Sequence, residues 1–193
     1  MVNNKPNRIA VLLNDAFADW ETGFLSSSVC EFFGGEVLHF SKDGREVLSE
    51  GTLRVIPSGS FNDVDPAEFQ ALIVCGSSKW MSPNPVDISE LLLQAEKHGT
   101  VIGAICGGTL TAARAGLLDD RRHTSNGPKW LPEYVATYRG AAHYQDVNDA
   151  ISDRGIVTAP GSAPVAFARE VLSLLYPDHK DLAAVLAMLA ETR

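Results

Sequence analysis

Cys106 ends an apolar run and opens a helical one. In TVIGAICGGTLTAARAGLL the residues before the thiol have the continuous apolar character of a buried strand, two glycines follow it, and an alanine-rich helical pattern comes next. A small residue two positions before the thiol and a glycine two after it, Ala104 and Gly108, leave the room that a sharp strand-to-helix elbow needs to lift a nucleophile above a sheet. The first turn of the following helix would offer unpaired backbone N–H groups and the positive end of its dipole. Both favour thiolate over thiol, and both can hold a developing oxyanion. The competing reading is a small apolar filler at the end of a buried strand. The Gly-Gly step weighs for the elbow, because packing alone has no use for it. Cys75, inside ALIVCG, and Cys30, inside an amphipathic helical segment, read as core residues instead.

The elements that must carry the elbow alternate in type. RIAVLLN is a strand-length apolar run, followed by a helical pattern from about Asp19 to Phe33 with Trp20, Phe24, Leu25 and Phe32 recurring, stopped by Gly34 and Gly35. EVLHFS reads as a second strand, REVLSEGTLRVIPS as a two-stranded excursion with Gly51 in its turn, and ALIVCG as a third buried strand. PVDISELLLQAEKHG is helical with Gly99 past its end, and TVIGAI delivers Cys106. Beyond the elbow helix, RRHTS reads as a short strand, GPKWLPEYVATY as loop and helix, ISDRGIVTAP as an edge hairpin and APVAFAREVLSLL as a further helix. In DHKDLAAVLAMLAETR, Leu182, Val185, Leu186 and Leu189 share one helical face, expected over about 178–192, which must pack on its own domain or at a dimer contact. Continuous apolar strands separated by helices predict an α/β sandwich: a mostly parallel sheet with helices on both faces, its chemistry at the carboxyl edge of the strands.

Composition narrows the partners. The 193 residues are expected to form a single domain large enough to bury a core unaided, and the three widely spaced cysteines suggest no disulfide framework and a reducing compartment. A net charge of −8 argues against nucleic acid or an anionic membrane as partner. No export signal or membrane-length apolar stretch is visible, so a cytoplasmic protein is expected, with no cofactor and no metal, since no His, Cys or carboxylate cluster has ligand spacing.

The elbow AICGG, the segment FADWETGFL, the loop ALIVCGSSKW and the pair GIVTAPGSAPVAFAREVL together resemble the ThiJ/PfpI (DJ-one) superfamily over nearly the whole chain. That resemblance implies the flavodoxin-like, class I glutamine-amidotransferase-like fold. It places the nucleophile at Cys106 and its acidic partner at Glu21, which would otherwise be a solvated charge in a first helical turn. A thiolate and a carboxylate in contact repel, so one must hold a proton, and the helix end favours a neutral Glu21 beside a Cys106 thiolate. The resemblance puts an oxyanion site at Gly107 and the Gly76-Ser77 loop, although Gly76 could equally punctuate a strand end.

Histidine departs from the pattern. Some relatives carry one directly after the nucleophile, where this chain has Gly107, and others carry one at the position of Asn126. His123 lies three residues earlier, and strand alternation would turn it away from the side of Thr124 and Asn126 unless a twist or bulge brings its ring to Cys106. His39, His98, His143 and His179 read as strand, loop or helix-end residues. Without a His-x-Glu step the triad of a glutamine amidotransferase is incomplete, and protease chemistry lacks its base.

Two functions remain. One is a cysteine-dependent hydrolase or lyase acting on a small electrophile such as a carbonyl, nitrile-like group or amide, with Cys106 adding and Glu21 moving the proton. Trp20, Trp80 and Trp130 would then supply a pocket wall or simple packing. The other is a redox or stress sensor whose Cys106 is oxidised. Family habit adds a homodimer to either.

Overall fold

Alternation along the strands decides the layers. The computed structural model describes residues 5–191, so the last residue of the expected C-terminal helix lies outside the described residues. The order is β1 (Arg8–Leu13), α1 (Trp20–Phe33), β2 (Glu36–Ser41), β3 (Val47–Leu48), β4 (Arg54–Val55), β5 (Gly59–Ser60) and β6 (Ala71–Val74). There follow α2 (Ser89–Lys97), β7 (Val101–Ile105), α3 (Thr109–Arg114), α4 (Trp130–Tyr134), β8 (Ile151–Asp153), β9 (Ile156–Ala159), α5 (Pro164–Leu175) and α6 (Leu182–Ala190). Ile9, Val11, Leu13 and Ile73 face α1, α5 and α6, whereas Ala10, Leu12, Leu72 and Val74 face α2, α3 and α4. A strand buried on both faces needs apolar residues at every position, which is why these segments read as unbroken runs.

Seven strands form the main sheet in the order β5-β2-β1-β6-β7-β9-β8, parallel throughout except for β8 against β9. This is the mostly parallel, flavodoxin-like arrangement expected. Chain order reverses direction at β1, with β2 on one side and β6 on the other, so the crevice at the carboxyl ends of β1 and β6 is the natural binding place. The β3–β4 pair stands apart as a two-stranded antiparallel hairpin, as its turn around Gly51 suggested.

Several local expectations need correction. RRHTS forms no strand: His123 makes only an isolated bridge to Tyr144, because this segment leaves the sheet to run above it. Cys30 is exposed, since the buried face of α1 is Glu21, Thr22, Leu25, Ser28, Val29 and Phe33, leaving Trp20 and Phe32 outside it. The α2 helix begins only at Ser89. The apolar stripe of α6 packs on the domain: Val185 and Leu189 are buried against the core shared with α1 and α5, and Leu182 and Leu186 are partly buried against it.

One glycine in mid-strand is explained by a ring. A Cβ on Gly103 would stand 2.8 Å from both Phe167 Cζ and Ile73 Cδ1, so β7 runs directly beneath the fully buried Phe167 of α5. Replacing Phe167 by Ala is expected to cost about 3–5 kcal/mol by leaving that space unfilled. Urea unfolding should show the loss as a lower midpoint at unchanged slope.

Candidate active site

Four loops at the carboxyl ends of β1, β6, β7 and β9 meet at one point. Cys106 follows β7 with a φ of 54°, a left-handed conformation that costs a non-glycine residue on the order of 1–2 kcal/mol. The strain is the signature of a nucleophile elbow. Residues Cys106–Gly108 make one 3-10 turn that runs into α3, and the two glycines let this corner press on the neighbouring strand. A Cβ on Gly108 would lie 2.3 Å from Val74 O, and one on Gly107 would lie 2.9 Å from Ser77 O. Thr109 Oγ1 braces the corner by donating to Cys106 O at 2.6 Å, and it is itself 2.6 Å from Ser125 Oγ.

Glu21 enters from the first turn of α1 and is fully buried. Its Oε2 accepts from Gly76 N–H at 2.7 Å and is 3.8 Å from the Cys75 thiol. Its Oε1 has no hydrogen-bond partner, and the carboxyl as a whole interacts with the Cys106 thiol. Glycines bracket the pair on two sides. A Cβ on Gly161 would stand 2.8 Å from Cys106 Sγ and 3.1 Å from Glu21 Oε1, and one on Gly76 would be 2.5 Å from Glu21 Oε2 and 2.9 Å from Cys106 Cβ. The two reactive groups therefore occupy space that any side chain at those positions would take.

Burial dominates the electrostatics. It pushes the Glu21 carboxyl up to about 7, with the charge of Glu50 adding to the rise, while hydrogen bonds from Gly76, Cys106 and Cys75 oppose it. It also pushes the Cys106 thiol up to about 11, reinforced by the Glu21 charge and opposed by Asn126 and the Gly107 N–H. The sequence suggested that the helix end would make Cys106 a thiolate. Desolvation and the adjacent carboxylate act against that ionisation, so the two acids titrate as a coupled pair.

The histidine question resolves in favour of Asn126. Its Nδ2 donates to Cys106 Sγ at 3.2 Å while its Oδ1 accepts from Gly161 N–H at 3.0 Å, which fixes the amide orientation. His123 is turned away: its Nε2 is 2.7 Å from Tyr138 Oη and its Nδ1 2.7 Å from Arg121 O, with Tyr138 and Tyr144 edge-on to the ring. The Gly76 amide is occupied by Glu21, and the Ser77 hydroxyl donates to Asp15 O at 2.6 Å and accepts from Lys79 N–H at 3.0 Å. The amide that remains on the sulfur is Gly107 N–H; Ser77 N lies 3.4 Å from where a Gly107 Cβ would be.

A cavity of about 90 Å³ opens over the thiol, lined among others by Trp20, Glu21, Glu50, Met81, Cys106 and Trp130. Trp20 reaches across it, its Nε1 donating to Gly161 O at 3.3 Å. Trp80 is not part of the wall: it is fully buried, stacked near Phe61, with its Nε1 donating to Cys75 O at 2.8 Å, so it supports the β6 loop from behind. A larger groove of about 370 Å³ beside α2 is lined by no cysteine, serine, threonine or histidine. Among the described residues no group of three or more His, Cys, Asp or Glu is arranged to hold a metal ion, and no helix is long and apolar enough to cross a membrane. Sequence reading missed Gly161 and Glu50. A Pro-Gly step directly after β9 was an available signal for the first, and nothing local marked the second.

The raised carboxyl has a consequence for stability. The folded value lies above the unfolded one, so between about 4.5 and about 7 the native state binds more protons, and stability falls as pH rises through that window. Glu21→Gln should flatten this slope in urea unfolding measured across pH. It should also lower the pH at which Cys106 ionises, read by thiolate absorbance, because the neighbouring negative charge is gone.

The model of the DJ-1/PfpI family matches residues 7–174. A Bacillus subtilis (strain 168) protein named as the uncharacterized protease YoaZ is 32% identical over 170 residues, covering 82% of this chain and 78% of its own. The crystal structure of the DJ-1 superfamily protein Atu0886 from Agrobacterium tumefaciens matches with a TM-score of 0.89 at 36% identity, over 97% of this chain and all of that one. A thiJ/pfpI family protein from Bacillus anthracis matches with a TM-score of 0.77 at 26% identity, over 97% of both chains. With the elbow, the sheet order and the matched span in agreement, this chain belongs to the DJ-1/PfpI family.

Proposed function

We propose that the protein is a cysteine-dependent enzyme acting on a small electrophile, a carbonyl, nitrile-like or amide compound, with Cys106 as nucleophile and Glu21 as proton shuttle. The observation that carries this reading is a fully buried carboxyl oxygen with no hydrogen-bond partner that borders the same small space, beside Gly161, as the thiol of a strained elbow. With its carboxyl near 7, Glu21 is present in both protonation states at neutral pH, the condition for giving and taking a proton at similar cost.

The step follows from the geometry. Cys106 Sγ forms a bond to the electrophilic carbon, the π pair of that carbon shifts to its oxygen or nitrogen, and the thiol proton passes to Glu21 Oε1. The developing negative charge lies toward the Gly107 and Ser77 amides, and Glu21 then returns the proton to the heteroatom. Asn126 holds the sulfur in place and carries no exchangeable proton of suitable acidity, so Glu21 alone serves as acid and base. A raised Cys106 is compatible with this route, because the thiol ionises only as its proton moves to Glu21.

The sensor reading draws on the same thiol and differs in outcome: oxidation of Cys106 by peroxide with no turnover of a substrate. Protease chemistry, the activity in the name of the Bacillus relative, lacks its base here, since His123 is turned to Tyr138 and Arg121 and not to the sulfur. Turnover of methylglyoxal or another small electrophile by purified protein should fall at least about 1,000-fold in Cys106→Ser and about 100-fold in Glu21→Gln. Asn126→Ala should retain partial activity. Full activity in Cys106→Ser, or peroxide oxidation of Cys106 at low equivalents with no turnover of any such compound, would overturn the reading.

A further inference from the structure

We infer that the mouth of the Cys106 cavity selects against anions, and that Glu50 on the β3–β4 hairpin is the residue that sets this charge preference. The inference rests on Cys106 being a reachable nucleophile and narrows the substrate class to uncharged or cationic compounds of a few heavy atoms.

The hairpin is not a loose excursion. Ala16 N–H donates to Leu48 O at 2.7 Å, Leu48 N–H to Asp15 Oδ1 at 3.0 Å and Glu50 N–H to Phe17 O at 2.9 Å. Gly51 N–H donates to Asp19 Oδ2 at 3.0 Å, and Ser49 Oγ donates to the same oxygen. A Cβ on Gly51 would come within 2.3 Å of that oxygen, so the glycine is what lets the turn close on Asp19. These ties clamp the tip of the hairpin to the β1–α1 loop, and they hold the backbone of Glu50 at the rim while its side chain lines the cavity.

The charges around the opening are one-sided. Glu50 and Glu21 both line it, and Glu50 is near enough to raise the Glu21 carboxyl. No Lys, Arg or His is among its lining residues. Lys79, close in sequence, faces a separate surface cavity with Lys42 and Asp15. The rest of the wall carries no formal charge: Trp20, Met81, Trp130 and Ala18 are apolar or aromatic, and Ser77 and Ser78 add neutral hydroxyls, so a single carboxylate acts over several ångströms. The ring faces carry negative quadrupole potential that a cation tolerates and an anion does not. An anionic electrophile would lose its hydration here and meet no counter-charge, whereas a neutral one of the same shape meets only apolar wall and backbone amides.

Two alkylating reagents of equal shape read this without any enzyme assay. Iodoacetamide and iodoacetate react with the same thiol through the same displacement, iodide leaving as the S–C bond forms and the thiol proton lost. Any change in Cys106 acidity therefore affects both and cancels in their ratio. Cys30, exposed on the outer side of α1, is an internal reference in the same molecule, scored separately by peptide mass spectrometry. The neutral reagent should be favoured at Cys106 over its ratio at Cys30 by about fivefold or more at low salt, and the excess should shrink as salt screens it. Glu50→Gln should reduce the excess, and Glu50→Lys should reverse it. Equal ratios at Cys106 and Cys30 in the wild-type protein, or an excess insensitive to both Glu50→Gln and salt, would overturn the charge preference. Failure of both reagents at Cys106 while Cys30 reacts would instead overturn the accessible nucleophile itself, and the charge preference with it.

Discussion

A carboxyl and a thiol packed together out of water, with too few donors to keep both ionised, is the constraint around which the rest of the molecule is arranged. Glu21 is held at Oε2 by one backbone N–H and left at Oε1 with a sulfur for company. In water such a contact would dissolve into separate hydration shells. Here four loops enclose it, and desolvation converts mutual repulsion into a shared store of protons. The sheet supplies the enclosure, because parallel strands place all their carboxyl-end loops on one edge, and the reversal of chain order at β1 leaves a crevice there.

Space for the pair comes from missing side chains. Gly76 and Gly161 flank the reacting atoms, and Gly107 and Gly108 let the elbow approach β6 until only backbone separates them. The strained Cys106 backbone is tolerated because Thr109 ties down its carbonyl and the helix that follows is packed into the core. Stability and reactivity are thus opposed at the same residues: a buried acid near neutrality and a left-handed cysteine each cost free energy, offset by two apolar layers that include the Phe167 contact over β7.

The comparison with relatives fixes the family and leaves the substrate to the cavity. Its walls are contributed by parts of the chain that do no chemistry: Trp20 in α1, Met81 after β6, Trp130 in α4 and Glu50 in a hairpin outside the main sheet. Such peripheral elements can vary without disturbing the Cys106 and Glu21 contact, a physical route by which one fold can accommodate different ligands.

The order of elements, the elbow at Cys106 and the close-packed glycines after it were legible in the chain itself, because strand and helix periodicity and the steric demand of a sharp turn are local properties. The roles of Asn126 and His123 were legible only as an ambiguity. RRHTS has the composition of a strand, yet it leaves the sheet, and which side chain meets the sulfur depended on how the segment passes over β7 and β9. The failed expectations share one cause. Exposure of Cys30, burial of Trp80 behind the β6 loop and the capture of the Gly76 amide by Glu21 all depend on what other segments bring within a few ångströms. A periodic pattern says that a residue has a partner, but desolvation and hydrogen-bond competition are set by three-dimensional neighbours, and those exist only once the sheet has closed.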